Sequence, residues 1–213
     1  NINLYMYRSL SYSYILILQS KYSVDAKIDE LRDIYIKSMH YFLQAFNKRN
    51  PIYADILNYV SLGVLLNIPD DNFRQLIDYV KQMDKQAKPS GWTPDLLLWF
   101  MLNSRMKEQE KQKYAETLAY PRLYNGLYKV IQAPNAATAK DALNKYLDRW
   151  YNLNSNAPWY NSHLKDNSYR GYWAWEVAAV AKIMHIDDSD LKNNQYYPYD
   201  MVHWADNETT AKE

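Results

Sequence analysis

Apolar side chains recur every three or four positions along most of the chain, which is the period of a helix with one buried face. One stripe predicts a helix over residues 25–48, and another follows Asp70 and Asp71, which can cap a helix start. The first stripe consists of Ile28, Leu31, Tyr35, Phe42 and Phe46, and the second of Phe73, Leu76, Ile77 and Val80. No run alternates between apolar and polar residues long enough to predict a strand. The pattern predicts about eight to ten helices and little or no sheet.

Further helix starts are predicted at short motifs that contain a proline or a capping pair. They are Asn50–Pro51, Thr93–Pro94, Thr138 with Asp141, and Tyr197–Pro198. The last predicts a short helix through Trp204. Loops are predicted near residues 88–93, 133–137, 152–169 and 187–197.

The segment of residues 171–191 contains a predicted helix that is apolar nearly all round. Over residues 172–181 every residue except Glu176 is apolar, which predicts a buried, central helix. A carboxylate in such a helix must be paired or hydrogen-bonded, because desolvation of a charge costs several kcal/mol. The expected partners are Arg149, Arg170 or a tyrosine hydroxyl, and a catalytic or binding role for Glu176 stays open. The rings expected to pack as framework around it are Tyr172, Trp173 and Trp175.

Residues 53–73 read like a second copy of residues 171–191. Both segments are apolar helices that end in an isoleucine and an acidic turn, with Ile68 aligned to Ile186 and Asp70 to Asp188. Such an echo indicates either two related halves or a chance likeness between two buried helices, and the sequence leaves both readings open.

Composition narrows the class of protein. The chain is 48% hydrophobic, which is enough for a core, and its 4 glycines are few for a fold of tight hairpins. The 22 tyrosines and 7 tryptophans suit half-buried packing or a binding surface.

The pair Trp159–Tyr160 lies in a polar loop, where it could anchor an interface or fold back on the core. Residues 10–18 are too short to span a bilayer and are expected to form a core helix.

Residues for catalysis or metal binding are sparse. The absence of cysteine excludes disulfides and thiolate chemistry, and there is no phosphate loop or nucleophile elbow. No two of the four histidines have the spacing of a metal site on one helix. Because the spacing is wrong, no metal site is predicted. The one arrangement left open is a cluster of His163, His185 and Glu176 brought together by folding.

Charge is nearly balanced overall, at +1, but it is unevenly distributed. Residues 81–113 are rich in lysine and arginine, whereas the chain from Asp187 onward is acidic. Such asymmetry indicates either a surface that steers a charged partner or simply a solvated face.

Four blocks of the C-terminal third resemble, in order, the C-terminal domain of the PoNi-type immunity proteins, which protect bacteria against PoNe-type DNase toxins. They are YLDRWY at residues 146–151, the loop with Trp159, Tyr160 and His163, YRGYWAWEVAAVAKIMHIDDSDL at residues 169–191, and YYPYDMVHW at residues 196–204. Residues 20–35 are similar, less specifically, to the family's N-terminal helical domain. We therefore expect a helical N-terminal part at residues 1–90 and a helical C-terminal part at residues 91–213, associated in one multi-helix bundle.

The resemblance implies an all-α, non-catalytic cytoplasmic protein that binds a nuclease toxin and blocks its activity, without cofactor, metal, membrane or direct nucleic-acid contact. The alternative is a non-catalytic helical scaffold that binds another protein or peptide. An inhibitor of a basic nuclease cleft is expected to present acidic groups, and aromatic rings are typical interface anchors. The interface candidates are Asp187, Asp188, Asp190, Trp159, Tyr160 and Asp200.

Overall fold

Nine α-helices account for most of the computed structural model, which describes residues 2–45, 52–85, 92–165 and 169–210. The helices are α1 (Ile2–Tyr22), α2 (Ile28–Ala45), α3 (Tyr53–Leu65), α4 (Asp70–Lys85), α5 (Leu96–Asn103), α6 (Pro121–Ile131), α7 (Ala136–Leu153), α8 (Trp175–Met184) and α9 (Tyr199–Thr210). Short 3-10 turns lie at Glu108–Glu110, Ser162–Leu164 and Ser189–Leu191. No strand occurs in these ranges, so the predicted all-α class is confirmed.

The chain divides into two compact units, Asn1–Ala119 and Tyr120–Glu213. Asp95 links α5 and the segment after it to the first unit. Its buried carboxylate accepts hydrogen bonds from the Tyr53 hydroxyl of α3 at 2.9 Å and from the Ala119 amide at 2.7 Å. The expected boundary between residues 90 and 91 stays a prediction.

The first unit buries hydroxyl groups as well as apolar side chains. The Tyr59 hydroxyl lies 2.7 Å from Ser11 Oγ and 2.6 Å from Ser38 Oγ, so one small network joins α1, α2 and α3. Within α1 the expected core helix of residues 10–18 is buried only on the side of Ser11 and Leu18, whereas Tyr12 is exposed. None of the described helices is both long and apolar enough to span a membrane.

The second unit is built around α8, which packs against α6, α7 and α9. Seven consecutive residues from Trp175 to Ala181 are buried, as the apolar run predicts. The helix begins only at Trp175, because the Ala174 amide instead donates to the Tyr196 carbonyl at 2.8 Å. The expected start at residue 172 is therefore three residues early.

Two helices are capped by a different residue from the one that the sequence predicts. The cap of α5 is Asp95, which accepts from the Leu98 amide, so the start predicted at Thr93–Pro94 is wrong by two residues. The cap of α7 is Asn135 rather than Thr138. The start after Pro198 is confirmed, although α9 continues beyond the expected end at Trp204. Asn50, Pro51 and Phe46 lie outside the described residues.

The echo between residues 53–73 and 171–191 extends to the backbone. Asn67 and His185, which the alignment pairs, both adopt the left-handed conformation, at φ 43° and 51°. The amide of Ile68 then donates to the Gly63 carbonyl and that of Ile186 to the Ala181 carbonyl, the hydrogen bond of a helix ended by a left-handed residue. This common ending is a local match, and the relation between whole halves stays a prediction.

A candidate protein-binding surface on the second unit

Glu176 is enclosed in the second unit and has a hydrogen-bond partner that the sequence did not suggest. The indole N–H of Trp150 on α7 donates to Glu176 Oε1 at 2.6 Å, whereas we expected Arg149, Arg170 or a tyrosine hydroxyl. Arg149, the residue before Trp150, is exposed. Burial raises the pKa of Glu176 to about 7, against the opposing effect of the Trp150 hydrogen bond. Glu176 therefore belongs to the interior of the unit rather than to its surface.

Folding does not bring His163, His185 and Glu176 together as a metal cluster. His163 Nδ1 lies 2.7 Å from the Tyr172 hydroxyl, and Glu176 is held by Trp150. His185 ends α8 in an exposed position. In the described ranges no group of three or more histidine, aspartate or glutamate side chains could hold a metal ion.

Six rings from four parts of the second unit form what we call the aromatic cluster. They are Trp150, Tyr151, Trp159, Tyr160, Tyr172 and Tyr196. The loop residues fold back onto α7, with ring centres 5.4 Å apart for Trp150 and Trp159 and 4.5 Å apart for Tyr151 and Tyr160. Trp159 and Tyr160 remain half-buried, so each ring keeps part of its surface open to solvent.

The expected framework rings differ in burial. Tyr172 and Trp175 are buried, and Trp173 is half-buried with its ring centre 6.0 Å from that of Trp175. The Tyr172 hydroxyl accepts a hydrogen bond from the His163 amide at 3.0 Å. This contact fixes the loop of residues 154–165 against the segment that enters α8.

The acidic turn, residues 187–190, contains two outward carboxylates. The side chains of Asp187 and Asp190 are 69% and 47% exposed, and both approach Lys140 Nζ, at 2.8 Å and 3.2 Å. Asn144 also donates to Asp190 at 3.0 Å. Hydrogen bonds from Lys140 and Ser189 hold the pKa of Asp187 well below its usual value, so Asp187 is ionised at neutral pH. With one lysine for two carboxylates, the turn keeps a net negative charge.

Asp188, between these two residues, faces inward. Its side chain is only 3% exposed, and it accepts a hydrogen bond from the Tyr197 hydroxyl at 2.7 Å. His203 Nε2 on α9 lies 2.8 Å from its other oxygen. Asp188 thus connects the acidic turn to α9, while Asp200 is exposed in the first turn of that helix.

One face of α7 connects the acidic turn to the aromatic cluster. Lys140, Asn144 and Tyr151 are spaced by four and seven residues, which places them on one stripe of the helix. Eleven residues of helix extend about 16 Å, so both features fit within one interface of ordinary size, roughly 800 Å² per partner. The sequence did not single out Lys140, Asn144, Tyr151 or Tyr196. Helical spacing could have joined the first three, but only the fold brings Tyr196 to them.

These features define the class of protein: an all-α chain of two helical units with a half-exposed aromatic and acidic surface on the second. Family comparison is more specific. The N-terminal model of the PoNe immunity proteins (PoNi) matches residues 2–78, and the C-terminal model matches residues 93–201. The chain therefore belongs to the PoNe immunity proteins, which confirms the resemblance. Membership indicates an immunity protein for PoNe nuclease toxins, in a family that is generally non-catalytic.

A solved structure shares the fold. Protein PA2201 from Pseudomonas aeruginosa superimposes with a TM-score of 0.66 at 19% sequence identity, over 98% of this chain and 78% of that one. At this identity the likeness concerns the fold alone. No curated protein matches the sequence.

Proposed function

We propose that this protein binds and neutralises a cognate PoNe-type DNase toxin in the cytoplasm and so protects the bacterium that produces both. The match of the two family models, over residues 2–78 and 93–201, carries this proposal. An immunity protein acts by binding, which agrees with a chain in which the buried carboxylate of Glu176 is enclosed rather than presented in a cleft.

The contact surface that we propose comprises the acidic turn, the aromatic cluster and Asp200. A nuclease holds the phosphates of DNA with lysine and arginine, so exposed carboxylates complement its charge and accelerate association. Half-exposed tryptophan and tyrosine rings that stack on α7 supply contact area at low cost in side-chain entropy. Asp187, Asp190, Asp200, Trp159 and Tyr160 are then direct contacts, and Asp188 supports the turn from inside.

Co-expression with a cognate PoNe-type toxin tests the proposal. The toxin alone should stop growth, and the pair should grow and purify as one complex. Toxicity that persists at full expression of a folded immunity protein, together with no complex, would refute the proposed function.

The alternative function is a helical scaffold that binds another protein or peptide without any toxin. The shared ending of α3 and α8 favours it, because repeated helical units are common in such scaffolds. A gene neighbourhood without a toxin and failure to protect against PoNe-type toxins would favour this alternative.

A further inference from the structure

The first unit contains an open cavity of about 400 Å³ at the end of α4. Its lining residues are Lys81, Asp84, Lys85, Pro94, Gln112 and Tyr114. Lys81, Asp84 and Lys85 share one face of the last turns of α4, because they are spaced by three and four residues. The opposite wall is the extended segment after the 3-10 turn, which Asn103 fixes by donating to the Gln112 carbonyl at 2.8 Å.

The carboxylate in this cavity is already saturated with hydrogen bonds. Asp84 accepts from the indole N–H groups of Trp92 at 2.8 Å and Trp99 at 2.7 Å, and from the Tyr114 hydroxyl at 2.7 Å. These three donors hold Asp84 as a structural group at the base of the cavity. Its negative charge is thus engaged with neutral donors and not with a neighbouring lysine.

The two lysines of the lining lack such partners. Among the residues that the structure describes, neither Lys81 nor Lys85 forms an ion pair, and Lys85 is exposed. The described lining residues therefore carry one more positive than negative charge. They include Tyr114, which is 48% exposed. Two lysines that form no ion pair with the described residues, in one lining with a tyrosine ring, suit an anion with an apolar stem.

The chemistry favours a carboxylate over a phosphate. Among the residues that the structure describes, no arginine lines the cavity. The last turn of α4 lies there, so its carbonyl groups present the negative end of the helix dipole. Phosphate sites normally use arginine forks or the amides of a helix start, and neither is present in the lining described. A monoanionic carboxylate on a carbon stem places less charge near these carbonyls and can lay its stem on the Tyr114 ring.

We propose that this cavity receives an acidic side chain, aspartate or glutamate, from the polypeptide of the bound toxin. It would be a second recognition site of positive charge, on a different unit from the acidic turn. This inference rests on the proposed function for the identity of the partner, but the preference for carboxylates belongs to the cavity itself. An open site of this kind binds an isolated acid weakly, with a Kd on the order of millimolar, so its occupant arrives as part of a larger interface.

Two experiments test the proposal separately from the proposed function. In the first, NMR of the full chain is followed during titration with an acetylated tetraglutamate amide and, in parallel, with inorganic phosphate. We expect the peptide to shift the signals of Lys81, Lys85 and Tyr114 at millimolar concentration, with a smaller effect of phosphate. Tighter binding of phosphate, or no shift at these residues, would overturn the assignment.

The second experiment measures affinity for the cognate toxin. We expect K81E/K85E to weaken binding by about tenfold, and K81Q/K85Q by less, because reversal adds repulsion to the loss of attraction. The matched control K27E/K37E, at two exposed lysines of the same unit, should change affinity by less than about twofold. Circular dichroism verifies folding of each variant. Unchanged affinity in both cavity variants would exclude the cavity and leave the proposed function intact. Absence of binding by the native chain would instead refute the proposed function, and the peptide titration would still decide the ligand class.

Discussion

Replacement of Glu176 by glutamine should make the protein less sensitive to alkaline pH. Glu176 is 6% exposed, and burial raises its pKa from 4.5 to about 7. The folded protein therefore binds this proton more tightly than the unfolded chain does. A carboxyl group of this kind supports folding fully below the unfolded pKa, and that support is lost as the pH rises through the folded pKa. Glutamine is neutral at every pH and retains an oxygen that can accept from Trp150.

The size of the effect follows from the pKa shift. A displacement from 4.5 to about 7 corresponds to about 3 kcal/mol, since one pKa unit equals about 1.4 kcal/mol. Part of this free energy of stabilisation is already lost at pH 5, because Glu176 is then mostly ionised in the unfolded chain. Between pH 5 and pH 8 the free energy of unfolding of the native protein should therefore fall by roughly 2 to 3 kcal/mol more than that of Glu176→Gln.

Urea unfolding followed by tryptophan fluorescence at both pH values measures this difference. The control is Asp148→Asn, which removes an exposed carboxylate from α7 in the same unit. This variant should follow the native protein closely. Equal pH dependence in native protein and Glu176→Gln would refute the reasoning, since it would mean that the buried carboxylate is stabilised as an anion.

Three further substitutions test the packing and the polar contacts. Gly126→Ala should lower the free energy of unfolding by about 1 kcal/mol, because the new Cβ would lie 2.5 Å from Tyr146 Cδ2. The control is Asn125→Ala at the exposed neighbouring residue. An increase in stability of Gly126→Ala would contradict the close approach. Asp188→Ala should lower the free energy of unfolding by about 1 to 3 kcal/mol, since it leaves the buried Tyr197 hydroxyl without its acceptor. Thermal unfolding measures this loss. An unchanged melting temperature would show that this contact does not contribute to stability. Arg105→Ala should lower the free energy of unfolding by about 1 kcal/mol, because Arg105 donates to the Ile68 carbonyl at 2.9 Å and lies over the Phe73 ring. Urea unfolding measures this loss beside that of Arg74→Ala. An equal or smaller loss for Arg105→Ala would show that these contacts contribute no more than an exposed arginine does.

The period of apolar residues predicted α2 and α4, since each of these helices buries one face of its own sequence. It identified α8 as a central helix, because a run with one charge in ten positions can be stable only inside. It also revealed the common ending of α3 and α8, where Asn67 and His185 take the left-handed conformation. These are local properties, determined by residues within a few positions of each other.

Long-range contacts account for what the sequence did not predict. Asp95 caps α5 because its carboxylate also meets Tyr53 and Ala119, which are 42 and 24 positions away. Glu176 accepts a hydrogen bond from an indole 26 positions earlier, whereas the sequence predicted an arginine or a tyrosine hydroxyl as its partner. The sequence does not distinguish Asp188 from Asp187. Asp188 faces inward because α9 packs beside it and places His203 next to its carboxylate. Burial and pairing of single polar groups depend on the fold as a whole.

The central claim is that this protein neutralises a PoNe-type toxin by direct binding through the acidic and aromatic surface of its second unit. The most direct measurement is DNase activity of the purified toxin during titration with the immunity protein and with D187K/D190K, beside the α7 control D141K. We predict that the native protein and D141K abolish cleavage at an equimolar ratio, whereas D187K/D190K requires a clear excess. Undiminished DNase activity in an excess of the folded native protein would contradict the claim.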